Sequence, residues 1–276
     1  FPATNSTRQL TNFNGTCVLA PINHPLFVSL GLSHGAAELL KKCWMSTPQE
    51  FWFKGANGDP VHGWYLEPVA GTVPNGAKVP LAYLIHGGPQ GSWSDDWSYR
   101  WNPQIYAAHG YAVGMIDFHG SEGYGQPFTD SIQNDYGFFI AILASCNDND
   151  TNCRFRSFVC VWRNRGKPFT DILNSLDFLI DNHPNINPSR LLGLGASYGG
   201  WMVNWINGHT NRFRALVCHD GIFDQRMLYF ETEELWFPEH DMEGNPMNAT
   251  ADANYEVRAC VRGGRCIVNT CTAVSS

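Results

Sequence analysis

From Glu50 onward the chain alternates short apolar runs with turns punctuated by glycine and proline. Phe51 to Leu66 holds two aromatic-rich runs on either side of Asn57-Gly58, the pattern of a β-hairpin. Pro80 to Ile85 is apolar throughout and reads as a buried strand that ends at His86-Gly87-Gly88-Pro89. Ser92 to His109 is predicted to be helical in part, with Trp93, Trp97 and Trp101 at i, i+4 spacing on one face, favouring core packing over a substrate pocket. Tyr111 to Ile116 is a second strand, running into the glycine-rich loop Asp117-Phe-His-Gly-Ser-Glu-Gly-Tyr-Gly125. Phe138 to Ala144 is the longest apolar run and reads as a core strand or a short helix. Residues 138–165 as a whole interrupt the pattern, which Phe169 to Asn182 restores as a helix with Ile172, Leu173, Leu176, Phe178, Leu179 and Ile180 on its largely apolar face. Leu191 to Leu194 then enters a tight turn around Ser197, and Trp201 to Asn207 leaves it as a helix. Phe213 to Val217 is a further strand, ending at Cys218-His-Asp-Gly221. Residues 1–16 are polar and turn-like, and 17–44 keep no period of either 2 or 3.6.

Strands alternating with helices predict an α/β fold, a mostly parallel sheet with helices on both faces. Sites in such sheets form at the carboxyl ends of strands. The His86 loop, the loop after Asp117, Ser197 and His219-Asp220 all follow strands and should gather at one edge. Gly195, Ser197 and Gly199 fit the nucleophile elbow G-x-S-x-G, a strained strand-to-helix turn that lifts a serine hydroxyl above the sheet. Acyl transfer also needs donors for the developing oxyanion. In an elbow one donor is the backbone N–H of the next residue, here Tyr198. The other comes from an earlier strand-end loop, for which Gly87-Gly88 is the candidate and His86 an ordering residue. The run Gly193-Leu-Gly195 opens like a dinucleotide-binding G-x-G-x-x-G, but Tyr198 stands where its third glycine belongs.

Composition narrows the classes. With 276 residues, 43% hydrophobic and 16% charged, the chain can bury a substantial core, and a net charge of −7 argues against a nucleic-acid partner. No apolar run approaches the ~18 residues of a membrane span, so no membrane association is expected. The chain begins at Phe1 without initiator methionine or signal peptide, as a processed protein or a fragment would. Sequons at Asn5, Asn14, Asn149 and Asn248 point mildly to secretion. Of the nine cysteines, an odd number, only Cys266 and Cys271 have the close spacing of a zinc site, and no second pair accompanies them.

Several stretches together resemble one family. Leu84-Ile-His-Gly-Gly-Pro-Gln90, Gly120-Ser-Glu-Gly-Tyr-Gly125, Gly166-Lys-Pro-Phe169 and the Ser197 turn are similar to the catalytic domain of the prolyl oligopeptidase family, most of all to its secreted fungal dipeptidyl-peptidase V branch. Glu50-Phe-Trp-Phe-Lys-Gly-Ala-Asn-Gly58, Gly200-Trp-Met-Val-Asn-Trp205 and Trp236-Phe-Pro-Glu-His-Asp241 strengthen the likeness, which spans about 46–137 and 166–246. Arg8-Gln-Leu-Thr-Asn-Phe13 is similar to the end of the family's preceding β-propeller. The resemblance implies an α/β-hydrolase fold, serine peptidase chemistry on a peptide substrate, secretion, and no metal or other cofactor. It carries the nucleophile to Ser197 and oxyanion donation to Tyr198, Gly87 and Gly88.

The chain also departs from the family. Segments of about 15–45, 138–165 and 250–276 fit neither the family nor a regular pattern, and they hold every cysteine except Cys218. The expected organisation is therefore a propeller remnant and unassigned segment over 1–45, a hydrolase domain over 46–249 interrupted by an insertion at 138–165, and an irregular tail over 250–276. The first two odd segments read as retained intron translations and the last as a frame-shifted or mis-spliced end. In the family the catalytic acid and histidine lie well beyond Trp236, after two more strands. The expectation is thus a fold lacking its last strands, with little turnover. Chain order would allow Asp220 or Asp224 with His240 as substitutes, but loop or interface roles fit these residues better. A carboxylesterase or lipase on the same fold, or a non-catalytic binding module, are the alternatives.

Overall fold

The computed structural model describes residues 45–96, 98–136, 140–143, 159–162, 166–249 and 251–255, the two short stretches at 140–143 and 159–162 by backbone alone. Its strands are β1 (Gln49–Lys54), β2 (Pro60–Leu66), β3 (Val79–Ile85), β4 (Ala112–Ile116), β5 (Ile140–Leu143), β6 (Val159–Trp162), β7 (Ile186–Ala196) and β8 (Ala215–His219). Six of them form one sheet in the order β1-β2-β4-β3-β7-β8. β3, β4, β7 and β8 run parallel, whereas β1 and β2 form the antiparallel hairpin anticipated from Asn57-Gly58. β2 pairs antiparallel with β4. Asn57 takes the left-handed backbone (φ 58°) that Asn tolerates better than most residues. Among the described residues no strand covers the outer side of β8.

Register decides where the strands end. Ile85 of β3 lies opposite Gly195 of β7, and Ala196 lies opposite His219 of β8. The carboxyl ends therefore finish level, as the parallel pattern predicts. All seven residues of β3 are buried, which explains its unbroken apolar run. Its side chains still alternate between faces. Leu81, Tyr83 and Ile85 join the larger core, and Leu84 joins a smaller cluster with Ala107, Val113 and Met115 on the other face.

The helices are α1 (Pro103–Ala108), α2 (Gln126–Thr129), α3 (Lys167–Asn182), α4 (Tyr198–His209), α5 (Gln225–Glu231), α6 (Trp236–Asp241) and α7 (Asp252–Tyr255). α3 buries Phe169, Ile172, Leu176 and Leu179, the face expected from its spacing. α4 carries stacked rings along one side: Tyr198 on Trp201 (5.8 Å), Trp201 on Trp205 (5.5 Å) and Trp205 on His209 (3.7 Å).

Three expectations are sharpened. The helical part of Ser92 to His109 is Pro103–Ala108, opened by the Asn102 side chain, which accepts from Gln104 N–H at 3.0 Å. Upstream, Asp117 takes the Trp93 N–H and Ser98 Oγ takes those of Arg100 and Trp101, so no helical ladder can form. Trp97 lies outside the described residues. The apolar run after Phe138 does supply a strand, β5, but it pairs only with β6 in a separate two-stranded sheet. The stretch after residue 250 is not irregular at its start: α7 packs inward, with Tyr255 fully buried and donating to the Gly244 carbonyl at 2.8 Å. The expectations for residues 1–44 and 256–276 fall outside the described residues.

A buried polar knot fastens the hairpin to the helical layer. Asp171, fully buried in the apolar face of α3, accepts from the N–H groups of Ala56 (2.7 Å) and His119 (2.8 Å) and from His119 Nδ1 (2.7 Å). His119 Nε2 reaches Asp59 at 3.2 Å. Burial by itself lowers the His119 pKa, but the hydrogen bonds and charges of Asp171 and Asp59 outweigh it and hold the imidazole above its usual 6.5. A raised histidine pKa adds stability that is fully present below the unfolded value and is lost as pH rises through the folded one. Unfolding free energy should therefore fall as pH climbs from about 6.5, by at most about 1.4 kcal/mol per pH unit. Denaturant titrations across that range check this, and His119→Gln should flatten the slope. An equal slope in the variant would assign the effect elsewhere.

Candidate active site

Ser197 stands between the end of β7 and the first residue of α4, with φ 57° and ψ −120°. For a residue with a side chain that conformation costs about 1–3 kcal/mol, so its surroundings must enforce it. They do so through backbone. Ser197 N–H donates to the His219 carbonyl at 3.1 Å, and Trp201 N–H donates to the Ser197 carbonyl at 3.0 Å. A Cβ on Gly195 would sit 2.2 Å from Gly199 O, and one on Gly199 would sit 2.2 Å from Ile85 O. Only glycine fits at either place, which is the physical content of the G-x-S-x-G spacing. Ser197 itself is exposed.

The loop leaving β3 runs against this turn. A Cβ on Gly87 would lie 3.3 Å from Ser197 Cβ and 3.8 Å from Ser197 Oγ. His86 stacks on Phe118 at 4.3 Å. Its Nδ1 lies 2.8 Å from the Gly87 carbonyl, which can only accept, so Nδ1 carries the hydrogen. Nε2 then accepts from Ser121 Oγ at 3.0 Å. Burial holds the His86 pKa below its usual value, against the opposing pull of the Gly87 carbonyl, Asp117 and Glu122. The ring is neutral and engaged at both nitrogens, as an ordering residue should be. Tyr198 opens α4, so its N–H is among the four that an α-helix leaves without an internal acceptor, at the positive end of the helix dipole. Its ring is fully buried near Phe118 and Tyr136, and desolvation pushes its phenol well above the ordinary range. What Tyr198 can offer the site is its backbone.

The remaining candidates are not brought together. His219 Nε2 pairs with its neighbour Asp220 at 2.9 Å, and its ring lies edge-on to Trp101. Asp224 caps α5 by accepting from Arg226 and Met227 N–H. His240 Nδ1 bonds Asp241 at 2.9 Å, and its Nε2 bonds Gln133. Among the described residues no imidazole is hydrogen-bonded to Ser197 Oγ. Asn248 is exposed, whereas the other sequon asparagines, Asn5, Asn14 and Asn149, lie outside the described residues.

Two features go beyond the sequence reading. A cavity of about 300 Å³ lies beside the His86 loop, walled by Trp93, Trp101, Tyr106, Leu194, Val217 and His219. Trp93 and Trp101 thus line a cavity, the alternative to core packing, while Trp93 also packs on the smaller core cluster. The second feature is a pair, buried Asp117 and partly buried His62, at 2.7 Å. The position of Asp117 directly after a parallel strand was the signal that could have marked it. No helix among the described residues is long and apolar enough to cross a membrane.

Comparison with known proteins places this geometry. The sequence profile of the prolyl oligopeptidase family matches residues 97–138 and 159–262. Dipeptidyl-peptidase 5 of Schizosaccharomyces pombe is 41% identical over 200 residues, covering 72% of this chain and 25% of the relative. Dipeptidyl-peptidase 5 of Trichophyton equinum is 36% identical over 214 residues, covering 77% and 25%. The chain therefore spans about a quarter of the length of the curated relatives it matches. Among solved structures, an acylaminoacyl peptidase of Pyrococcus horikoshii matches with a TM-score of 0.63 at 25% identity, over 79% of this chain and 30% of its own. An acylaminoacyl peptidase in complex with Z-Gly-Gly-Phe-chloromethyl ketone matches with a TM-score of 0.64 at 24% identity, over 81% and 31%, a likeness of fold. With the sheet order, the serine turn and the sequence profile in agreement, the chain has an α/β-hydrolase fold and belongs to the prolyl oligopeptidase family.

Proposed function

We propose that the chain carries the acyl-transfer machinery of a serine peptidase of dipeptidyl-peptidase type, with Ser197 as nucleophile. The observation that carries this is the Ser197 turn, a strained backbone held over the strand ends with the Gly87 loop against it. In this reading Ser197 Oγ attacks the carbonyl carbon of a peptide bond. The oxyanion that forms is met by the N–H of Tyr198 and by the backbone of Gly87-Gly88. Collapse expels the amine and leaves an acyl group on Ser197, which water then removes.

Each stage moves a proton, and there the described site falls short. Ser197 must lose one and the departing amine must gain one, tasks that an imidazole performs in the triad. His86, His219 and His240 are engaged elsewhere. A serine hydrolase without its base loses on the order of 10⁶ in kcat, while binding and oxyanion stabilisation leave about 10³–10⁴ over water. We therefore expect little peptide turnover from this chain. An activated ester, whose leaving group needs no proton, should still acylate the serine slowly. Intact-mass analysis after incubation with a dipeptidyl p-nitrophenyl ester should show one acyl adduct, absent in Ser197→Ala, with no cleavage of the matching dipeptidyl amide. An adduct that persists in Ser197→Ala would remove the nucleophile assignment. Faster acylation by simple fatty-acyl esters would favour a carboxylesterase.

Secretion is part of the same reading, supported by the four sequons and the exposure of Asn248. Expressed through a eukaryotic secretory pathway, the chain should shift in mass on N-glycosidase treatment, by one glycan less in Asn248→Gln. No shift in either protein would contradict glycosylation.

A further inference from the structure

The loop that leaves β3 is only as well placed as its far end. Gly91 O accepts from Glu122 N–H at 3.0 Å, and both backbone groups of Trp93 are held from outside the loop. Trp93 N–H donates to Asp117 Oδ1 at 2.6 Å, and Trp93 O accepts from Trp64 Nε1 at 3.2 Å. Asp117 is 4% exposed, and a buried carboxylate persists only where partners replace water. Its Oδ2 meets His62 Nδ1 at 2.7 Å. The two residues are also joined through their backbones. Asp117 N–H donates to the His62 carbonyl at 3.0 Å. Tyr124 Oη accepts from His62 N–H at 2.8 Å and donates to the Asp117 carbonyl at 3.1 Å. His62 Nε2 in turn faces Glu50 Oε1 at 3.4 Å on the hairpin surface.

We propose that Asp117, backed by His62, is a positioning residue that fixes the loop bearing Gly87 and Gly88 against Ser197. The inference rests on the reading of Gly87-Gly88 as oxyanion donors. A charge-assisted bond from a buried carboxylate to a loop N–H is stronger and more directional than a neutral one, and here it closes the loop five residues beyond Gly88. The hairpin reaches the loop through this acceptor and through the Trp64 bond to Trp93 O. Without it, Trp93 N–H has no partner and the loop is left to the bonds of Glu122, His86, Gln90 and Trp64.

The test compares the whole chain with Asp117→Ala, Asp117→Asn and His62→Ala by residue-resolved amide exchange, and by the rate of Ser197 acylation with the dipeptidyl p-nitrophenyl ester. Asn keeps an oxygen for Trp93 N–H and should preserve most of the wild-type behaviour. Ala should raise exchange at Trp93, Gly91 and Glu122, the amides whose bonds hold the loop, by about fivefold or more. It should also slow acylation on the order of tenfold to a hundredfold, with exchange in β7 and α4 unchanged. His62→Ala should fall between the two and carries the test should Asp117→Ala not fold. Uniform exchange increases across the sheet, or unchanged loop amides, would overturn the proposal. Exchange does not require a reactive serine, so a wild-type chain that is never acylated counts against the peptidase reading alone.

Discussion

The contact on which the site depends is between two stretches of backbone. Gly199 packs so closely on the Ile85 carbonyl that any Cβ would stand 2.2 Å from it. That approach is possible only because β3 and β7 are paired in register at Ile85 and Gly195, so the strand ends finish level. Given both, the amino end of α4 must lie over the end of β3. Ser197, caught between strand and helix, has to take a positive φ. The Gly87 loop, continuing from β3, has to pass beside it. One backbone contact thus fixes the turn that carries Ser197 and brings the Gly87 loop beside it.

Around that contact the fold is secured by buried polar groups as much as by apolar packing. Asp171 is the clearest case, a carboxylate in the apolar face of α3 that binds two backbone N–H groups and an imidazole from separate parts of the chain. Asp117 does the same one strand-end away, joining β2 to the wall of the cavity. Both acids engage a histidine and a loop amide, so the glycine-rich stretch between Asp117 and Gly125 is pinned from two sides. The loop bonds made by Ser121 and Glu122 to His86 and Gly91 transmit that order towards Ser197.

Much of this was legible in the sequence, for identifiable reasons. β3, β4 and β8 are short apolar runs bounded by glycine, proline or charged residues, and α3 has a clean helical period. The serine turn was legible because its sterics demand glycine at fixed offsets. What escaped was set by contacts distant in sequence. Nothing near Trp93 announces that a carboxylate 24 positions away will take its N–H and stop a helix from forming. Likewise Asp171 looks like an interruption of an apolar face, since its partners come from 52 and 115 positions away. β7 begins well before its apolar core at Leu191 because Ile186 pairs with Val79, a match that local pattern does not encode.

In the proposed reading Ser197 is a nucleophile set on its turn and flanked by oxyanion donors, with no imidazole among the described residues bonded to it. The most direct test of this claim is the rate at which a fluorophosphonate labels Ser197, followed by intact mass from about pH 5 to about pH 9. An unassisted hydroxyl reacts through its alkoxide, so the rate should rise about tenfold per pH unit throughout, without a plateau. A plateau reached through an inflection near about pH 6.5–7 would reveal a histidine base on Ser197 and contradict the claim.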